Sequence, residues 1–411
     1  MSAPVRAPVR LGVVGCGAFG RFALQAVAGS PLVTLVALAD PREECRLEAA
    51  RVWHQAVSTP DLGNDAPTSR TNDPVSPQQR ADVRLYEEGA KVCQDPGVDL
   101  VWILAPPYLH YPLARVALEH RKGVFLEKPG AIRPGEMEEL GALAESSGAP
   151  ASVDFVLRRT PLATLVSRIV NSGVVGPAER VVLENVAHDE RLPEGHWFWN
   201  PVLSGGIFVE HGVHFFDLAN WWFGVGEVKG ALGLRRTRWK DAPVDRVLCT
   251  CLHGASASPV LATYYHSFTT VERFERASWH LVLHRGFLDV EGWIPTAIRG
   301  EVLVTDQEAQ WLKWRLGCAL DALDQPQPDR DPAWGGQDAP EGTGGRPLRY
   351  RARLLVENPD RTAVYRQAIR AGLEDVAACL IESGRQPAVT LEDARRALEM
   401  AYAATRSAES A

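Results

Sequence analysis

Val9-Arg-Leu-Gly-Val-Val14-Gly15-Cys-Gly17-Ala-Phe-Gly20 decides the fold. An apolar run of strand length meets three glycines spaced Gly-x-Gly-x-x-Gly, and the amphipathic segment Phe19 to Ala28 follows. Strand, glycine turn and helix in that order form the context that a dinucleotide-binding unit requires. Glycine at 15 permits the tight turn, Gly17 lets the backbone approach a pyrophosphate, and Gly20 allows helix and strand to pack closely. The helix N-terminus offers unpaired N–H groups and the positive end of its dipole to the phosphates. A second apolar run, Leu32 to Ala39, ends at Asp40, where a carboxylate accepts hydrogen bonds from the adenosine ribose diol. That carboxylate repels a 2′-phosphate and so favours NAD. Arg42, two residues on, leaves NADP open by its ability to pair with such a phosphate.

Further along, Leu100 to Leu104 and Val124 to Leu126 are again strand-like, with helical periodicity from Pro112 to His120 between them. Strands alternating with helices predict a doubly wound parallel sheet. Beyond about Ala151 the rhythm changes. Ala178 to Val186, Val228 to Arg236, Arg246 to Leu252, Val260 to Ser267, Trp279 to His284 and Phe287 to Val290 follow one another as strands, with few helices between them. The expected fold is α/β: an N-terminal Rossmann domain over residues 1–150, and an α+β domain over 151–411 with a large, mostly antiparallel open sheet. One long helix is expected from Gly206 to Phe223, and two more, Asp360 to Gly384 and Leu391 to Ser407, close the chain. Thr390 is the expected N-cap of the last, with Asp393 three residues on. The Pro-, Ser-, Asn- and Asp-rich segment Thr59 to Arg80 is expected to be a surface insertion, and Gln325 to Arg346 a long mobile loop.

Glu127-Lys128-Pro129 ends the fifth strand, near the place of a nicotinamide. A lysine there can stabilise the alkoxide that develops as hydride leaves, although a strand-end lysine in water is the plain alternative. In Gly205-Gly206-Ile-Phe-Val-Glu210-His211-Gly212-Val-His214, Glu210 and His214 are four apart and share a helix face. A carboxylate that takes the imidazole proton fixes its tautomer and raises its basicity, as suits a base near neutral pH. The same histidine could be structural. No His-Glu-x-x-His pattern accompanies it, so no metal is expected. In His196-Trp197-Phe198-Trp199, Trp197 suits stacking on the C–H face of a sugar ring, and equally a core or interface anchor. Tyr108 and His110 follow the fourth strand and could line the cofactor. A buried, hydrogen-bonded His110 is the competing reading.

The 411 residues exceed one ordinary core. Hydrophobic residues at 45% and charged residues at 23% describe a globular chain, and a formal charge of −7 leaves no basic excess for nucleic acid. No apolar stretch approaches the roughly 20 residues of a membrane span, and Met1 to Arg6 lacks a signal peptide's apolar core. Seven cysteines without metal-ligand spacing fit reduced thiols, and a cytoplasmic location is expected.

The ordered motifs resemble those of the Gfo/Idh/MocA oxidoreductases, the family of glucose-fructose oxidoreductase and inositol dehydrogenase. The matches are Gly15 to Gly20, Asp40, Pro106-Pro107-x-x-His110, Glu127-Lys128-Pro129, Arg158-Arg-Thr-Pro161, Gly205-Gly206, the helix of Glu210 and His214, and Pro387 to Asp393. The resemblance implies hydride exchange between NAD(P) and a sugar, cyclitol or related polyol, with Lys128 and His214 as the catalytic pair and Glu210 beside them. It implies cofactor contacts from Gly15, Gly17, Ala18, Phe19, Gly20, Asp40, Arg42, Pro106, His110 and Glu127, and substrate contacts from Tyr108, Arg158 and Trp197. It also implies a homodimer or homotetramer formed through the C-terminal sheet. Glu210 stands where the family usually has aspartate, and Pro107 where asparagine is common. Two other functions stay open: an NAD(P)-sensing regulator without turnover, and a redox-assisted lyase or glycosidase that recycles its NAD.

Overall fold

The computed structural model describes residues 6–58, 83–189, 191–235, 244–254, 258–316, 318–328 and 347–410. The expected insertion Thr59 to Arg80 lies outside them, as does the expected loop beyond residue 328.

The first sheet has six parallel strands: β1 (Val9–Val14), β2 (Val33–Ala39), β3 (Arg84–Tyr86), β4 (Leu100–Ile103), β5 (Gly123–Leu126) and β6 (Ala151–Val153). Their order is β3-β2-β1-β4-β5-β6, the doubly wound arrangement. Strands β4 and β5 are buried at every residue, which explains why they read as unbroken apolar runs. Helices α1 (Ala18–Val27), α2 (Glu43–Ser58), α3 (Gly89–Gln94), α4 (His110–Glu119) and α5 (Pro134–Ser147) make the crossovers.

The second sheet has nine strands: β7 (Ala178–His188), β8 (Gly226–Arg235), β9 (Val244–His253), β10 (Val260–Thr270), β11 (Arg276–Leu283), β12 (Gly286–Glu291), β13 (Ala297–Val304), β14 (Ala319–Gln327) and β15 (Leu348–Glu357). Their order is β14-β15-β13-β12-β11-β7-β10-β9-β8, antiparallel except for the β7–β10 pair. Strand β14 takes in Gln325 to Gln327, so sheet structure continues two residues past the start of the expected loop. Helices α6 (Pro161–Asn171), α7 (Pro201–Ser204), α8 (Val213–Phe223), α9 (Asp306–Leu316), α10 (Arg361–Ile381) and α11 (Leu391–Ser410) complete the chain. The N-cap of α11 is as expected: Asp393 N donates to Thr390 Oγ1 at 3.1 Å, and Thr390 N donates back to Asp393 Oδ2 at 2.9 Å.

Spatially the chain forms two compact units that do not follow each other in sequence. One comprises Met1–Arg159, Gly195–Asp217 and Tyr365–Tyr402; the other comprises Thr160–Glu194, Leu218–Val364 and Ala403–Ala411. The first unit reaches past residue 150 because β6 is still a strand of its sheet. Late segments seal that sheet: Ser152 Oγ donates to Val389 O at 2.8 Å, and a Cβ on Gly123 would lie 2.9 Å from Leu380. The second unit has its own core around Trp222, Tyr264 and Trp279, each fully buried, with Trp222 Nε1 donating to Ala163 O at 3.1 Å.

Candidate active site

Open α/β sheets hold ligands at the carboxyl ends of their strands where strand order reverses, which here is between β1 and β4. The glycine turn lies at that edge. Gly15 has φ +103° and its N–H donates to Ala39 O at 2.8 Å, while Gly20 passes so close that a Cβ would stand 2.3 Å from Gly15 O. Gly17 caps α1 with no side-chain hydrogen bond, so the first N–H groups of the helix, those of Ala18 and Phe19 included, stay available to phosphate. Asp40 is 7% exposed. Its Oδ2 accepts from Cys16 N at 2.9 Å and its Oδ1 from Arg42 N at 3.0 Å, which fixes the turn from within. The guanidinium of Arg42, 3.4 Å from Asp40 Oδ1, is the exposed cation beside this carboxylate. Open N–H groups, close backbone approach and a held carboxylate fit a dinucleotide.

Lys128 follows β5 and precedes Pro129 through a cis peptide bond. Its Nζ donates to Glu210 Oε1 at 2.7 Å and to Glu210 O at 2.8 Å, joining the strand end to the Glu210–His214 segment. The carboxylate thus has a lysine partner that the four-residue spacing alone does not announce. The single α-helix expected from Gly206 differs, because the chain enters α8 through a π-helical turn, Phe208–Gly212. A π turn closes its hydrogen bonds five residues apart and keeps residues four apart near one face, and such turns recur at functional sites.

His214 is 3% exposed. Burial, then the charge of Lys128, then His211 hold its pKa well below 6.5, the reverse of the basicity expected from a carboxylate partner. The shift favours the uncharged ring, which accepts a proton less readily than a solvated imidazole does. Burial and Lys128 likewise push His211 down to about 3. His110 is 1% exposed, with Nδ1 2.5 Å from Pro129 O and Nε2 2.6 Å from Ala105 O. It lies between the turn after β4 and the Lys128-Pro129 turn and donates its one N–H to one of these carbonyls, in agreement with the buried, hydrogen-bonded reading.

Pro106 opens a short 3₁₀ turn, Pro107–Leu109, on which Tyr108 is 38% exposed. Trp197 lies in another, Trp197–Trp199, with its ring edge-on to Phe198 at 6.2 Å between centroids. Arg158 is committed to a bidentate pair with Asp217, Nε to Oδ2 at 2.7 Å and Nη2 to Oδ1 at 2.6 Å, with Asp393 at 3.4 Å. Burial pushes Asp217 up to about 7, and Arg158 opposes this. Glu127 sits at the end of β5 with its N–H donating to Ile103 O at 2.9 Å. Asp154 and Asp217 escape a reading by motif spacing. Asp217 alone has a signal, one α-turn beyond His214. Among the described residues no group of three or more His, Cys, Asp or Glu is placed to hold a metal ion.

Residues 9–155 match a family model described as the oxidoreductase family with an NAD-binding Rossmann fold, and residues 164–287 match one described as the GFO/IDH/MocA C-terminal domain. The chain is 25% identical over 53% of its length to scyllo-inositol 2-dehydrogenase (NAD(+)) of Bacillus subtilis, and the match spans 54% of that enzyme. It is 31% identical over 36% of its length to glycosyl hydrolase family 109 protein 3 of Phocaeicola vulgatus, over 23% of that protein. The chain thus spans about half or less of the length of these curated relatives. In fold it is similar to the WlbA dehydrogenase of Bordetella pertussis, crystallised with NADH and UDP-GlcNAcA: TM-score 0.71, 18% identity, covering 99% of this chain and 97% of that one. With both halves matched in order, the chain belongs to the Gfo/Idh/MocA oxidoreductase family, and its first domain is of that family's NAD-binding Rossmann type.

Proposed function

We propose that the chain transfers a hydride between a nicotinamide cofactor, NAD in preference to NADP, and a secondary hydroxyl of a sugar, cyclitol or related polyol. The observation that carries this reading is the 2.7 Å pair of Lys128 and Glu210, with the neutral His214 under the same positive charge. His214 takes the hydroxyl proton as the C–O bond gains double-bond character. Lys128, held by two hydrogen bonds to Glu210, faces the negative charge that develops on that oxygen. A bound nicotinamide supplies the hydride acceptor. Glycine turn and Asp40 hold its adenosine and pyrophosphate, and Ala18, Phe19, Pro106 and Glu127 line its path along the strand ends. Asp40 supports NAD by repelling a 2′-phosphate. Trp197 and Tyr108 offer apolar ring faces to a sugar, and Arg158 holds the wall through Asp217.

The test is a panel of inositols, aldoses and anhydrosugars with NAD⁺ or NADP⁺, followed by NADH absorbance. One member should turn over, and Lys128→Ala and His214→Ala should each lower kcat by about 10²-fold or more with cofactor Kd nearly unchanged. Unaltered turnover in both variants would refute the assignment. The likeness to a glycosyl hydrolase family 109 protein favours a second reading, redox-assisted glycosidase chemistry. It is recognised by release of the aglycone from an aryl glycoside without net NADH.

The outer face of the nine-stranded sheet exposes Leu232, Leu234, Leu248 and Leu355, and Leu232 and Leu248 are register neighbours. This apolar face supports a homodimer or homotetramer. All seven cysteines are free thiols, which supports a cytoplasmic location.

A further inference from the structure

Next to Lys128 stands a pair of titratable side chains that proton and hydride transfer do not use. Leu126 of β5 and Val153 of β6 are register partners in parallel strands, and the residues that follow them are Glu127 and Asp154. Asp154 N donates to Leu126 O at 2.7 Å, so the two carboxyls leave adjacent strand ends side by side. Asp154 is 1% exposed, and neither of its oxygens has a hydrogen-bond partner among the described residues. Gly372 of α10 closes over it: a Cβ there would lie 3.3 Å from Asp154 Oδ1 and 3.3 Å from Arg159 Nε.

Asp154 is buried without a hydrogen-bond partner among the described residues and Glu127 beside it is half-buried, so a second full negative charge is costly there. Loss of water comes first, with the repulsion of Asp154 added at Glu127, and both groups are held well above the ordinary carboxylate range. Interacting acids of this kind titrate as a pair, the first proton leaving well before the second. The groups that face them are Lys128 on the same strand end, Glu210 from the π turn, Arg159 from the 3₁₀ turn before α6, and Tyr365 from α10. Arg159 is already 3.2 Å from Asp375. Tyr365 is driven upward by burial and by the pair itself, while the nearby His110, His211 and His214 are all driven down. The shifts of the carboxyl pair run toward neutral pH, while those of Tyr365 and the three histidines run away from it.

Asp40 assigns the adenosine half of a dinucleotide to β2, so the nicotinamide half extends across the switch point toward β4 and β5, where Glu127 stands. The oxidised ring carries a positive charge that the reduced ring lacks. We propose that Glu127 and Asp154 share one proton that is released when the oxidised dinucleotide binds and kept when the reduced one binds, so that the choice between redox states depends on pH. Charge balances: a cation enters, a proton leaves to solvent, and the second carboxylate takes its place as counter-ion. The proposal rests on the dinucleotide reading above.

The test is binding, not turnover. Wild type and Asp154→Asn are titrated with NAD⁺ and with NADH by calorimetry between about pH 6 and 9, in two buffers of different ionisation enthalpy. Contacts to adenosine and pyrophosphate are common to both ligands and cancel in the ratio of their Kd values. In the wild type that ratio should shift toward NAD⁺ as pH rises, by up to about tenfold per pH unit within the pair's range, with up to one proton released on binding NAD⁺ and none on binding NADH. Asp154→Asn removes the partner of the shared proton and its repulsion, leaves burial as the main cause holding Glu127 up, and should move the change in the ratio to lower pH. A wild-type ratio independent of pH with both ligands bound, or a pH dependence that lies at the same pH in Asp154→Asn, would overturn the proposal alone. Failure of either ligand to bind at any pH would sink the dinucleotide reading, and the proposal with it. If the variant does not fold, the proton count in the wild type still decides.

Discussion

Glu210 is the residue whose identity and contacts together say most about this chain. Its side chain reaches Lys128 Nζ with one carboxylate oxygen while its own carbonyl accepts a second hydrogen bond from the same ammonium. The pair is 15% and 11% exposed, so solvent screens it little and both partners are held in one geometry. Glu210→Gln keeps the shape and removes the charge. The expected result is a fall in kcat of about 10- to 100-fold, the range of one charge-assisted hydrogen bond, with NADH Kd within about threefold of wild type. Glu210→Asp should recover part of that loss. Steady-state kinetics with the substrate found in the screen, beside NADH titration, reads both. Loss of cofactor binding in Glu210→Gln would show that the carboxylate organises the Rossmann edge instead of the lysine.

Elements differ in how openly the chain announces them, and the reasons are physical. Strands β1, β2, β4 and β5 are legible because a parallel strand covered on both faces must be apolar throughout. The last three residues of β14 read as loop because Pro326 lies among them, and Pro is tolerated there since β14 is the edge of its sheet. In β15, Arg349, Arg351 and Arg353 alternate with buried or half-buried neighbours, and their charges hide a regular strand. The π turn escapes periodicity because it changes the period. Of the site, the glycine turn, Lys128 and the Glu210–His214 segment are visible as motifs, whereas Asp154 is not, since its importance comes from a neighbour on the next strand. The glycine turn supports a prediction at this scale. A Cβ on Gly20 would meet a backbone oxygen, Gly15 O at 2.3 Å, which no rotamer change relieves. Gly20→Ala must therefore move α1 off the turn. The expected outcome is at least a tenfold weaker NADH Kd with the circular dichroism spectrum retained, since the displacement falls on the pyrophosphate contacts. Unchanged affinity would mean that the first turn of α1 does not hold phosphate.

Across the whole molecule the buried histidines set the acid limit of stability. His110, His211 and His214 in one unit and His253 in the other are all held below 6.5, chiefly by burial. His253 is the cleanest case. It is fully buried, with Nδ1 3.0 Å from Gly224 O and Nε2 2.6 Å from Tyr264 Oη, and burial pushes it down to about 4. The folded chain keeps this ring neutral while the unfolded chain protonates it below 6.5. Stability contributed by the neutral ring is complete above pH 6.5 and falls as pH drops toward 4. One such group costs about 3 kcal/mol over that interval. The carboxyl pair of Glu127 and Asp154 acts in the opposite sense. Its raised folded pKa values favour the protonated, folded form at low pH, and stability is lost as pH rises through them. Maximum stability should therefore lie between the two effects, near neutrality. In urea denaturation at a series of pH values, His253→Gln should start less stable than wild type at neutral pH and then lose about 2–3 kcal/mol less on acidification to about pH 4.5, because glutamine takes up no proton on unfolding. Parallel curves for the two proteins would show that His253 is protonated alike in the folded and unfolded chains, and the acid limit would then belong to the histidines around Lys128.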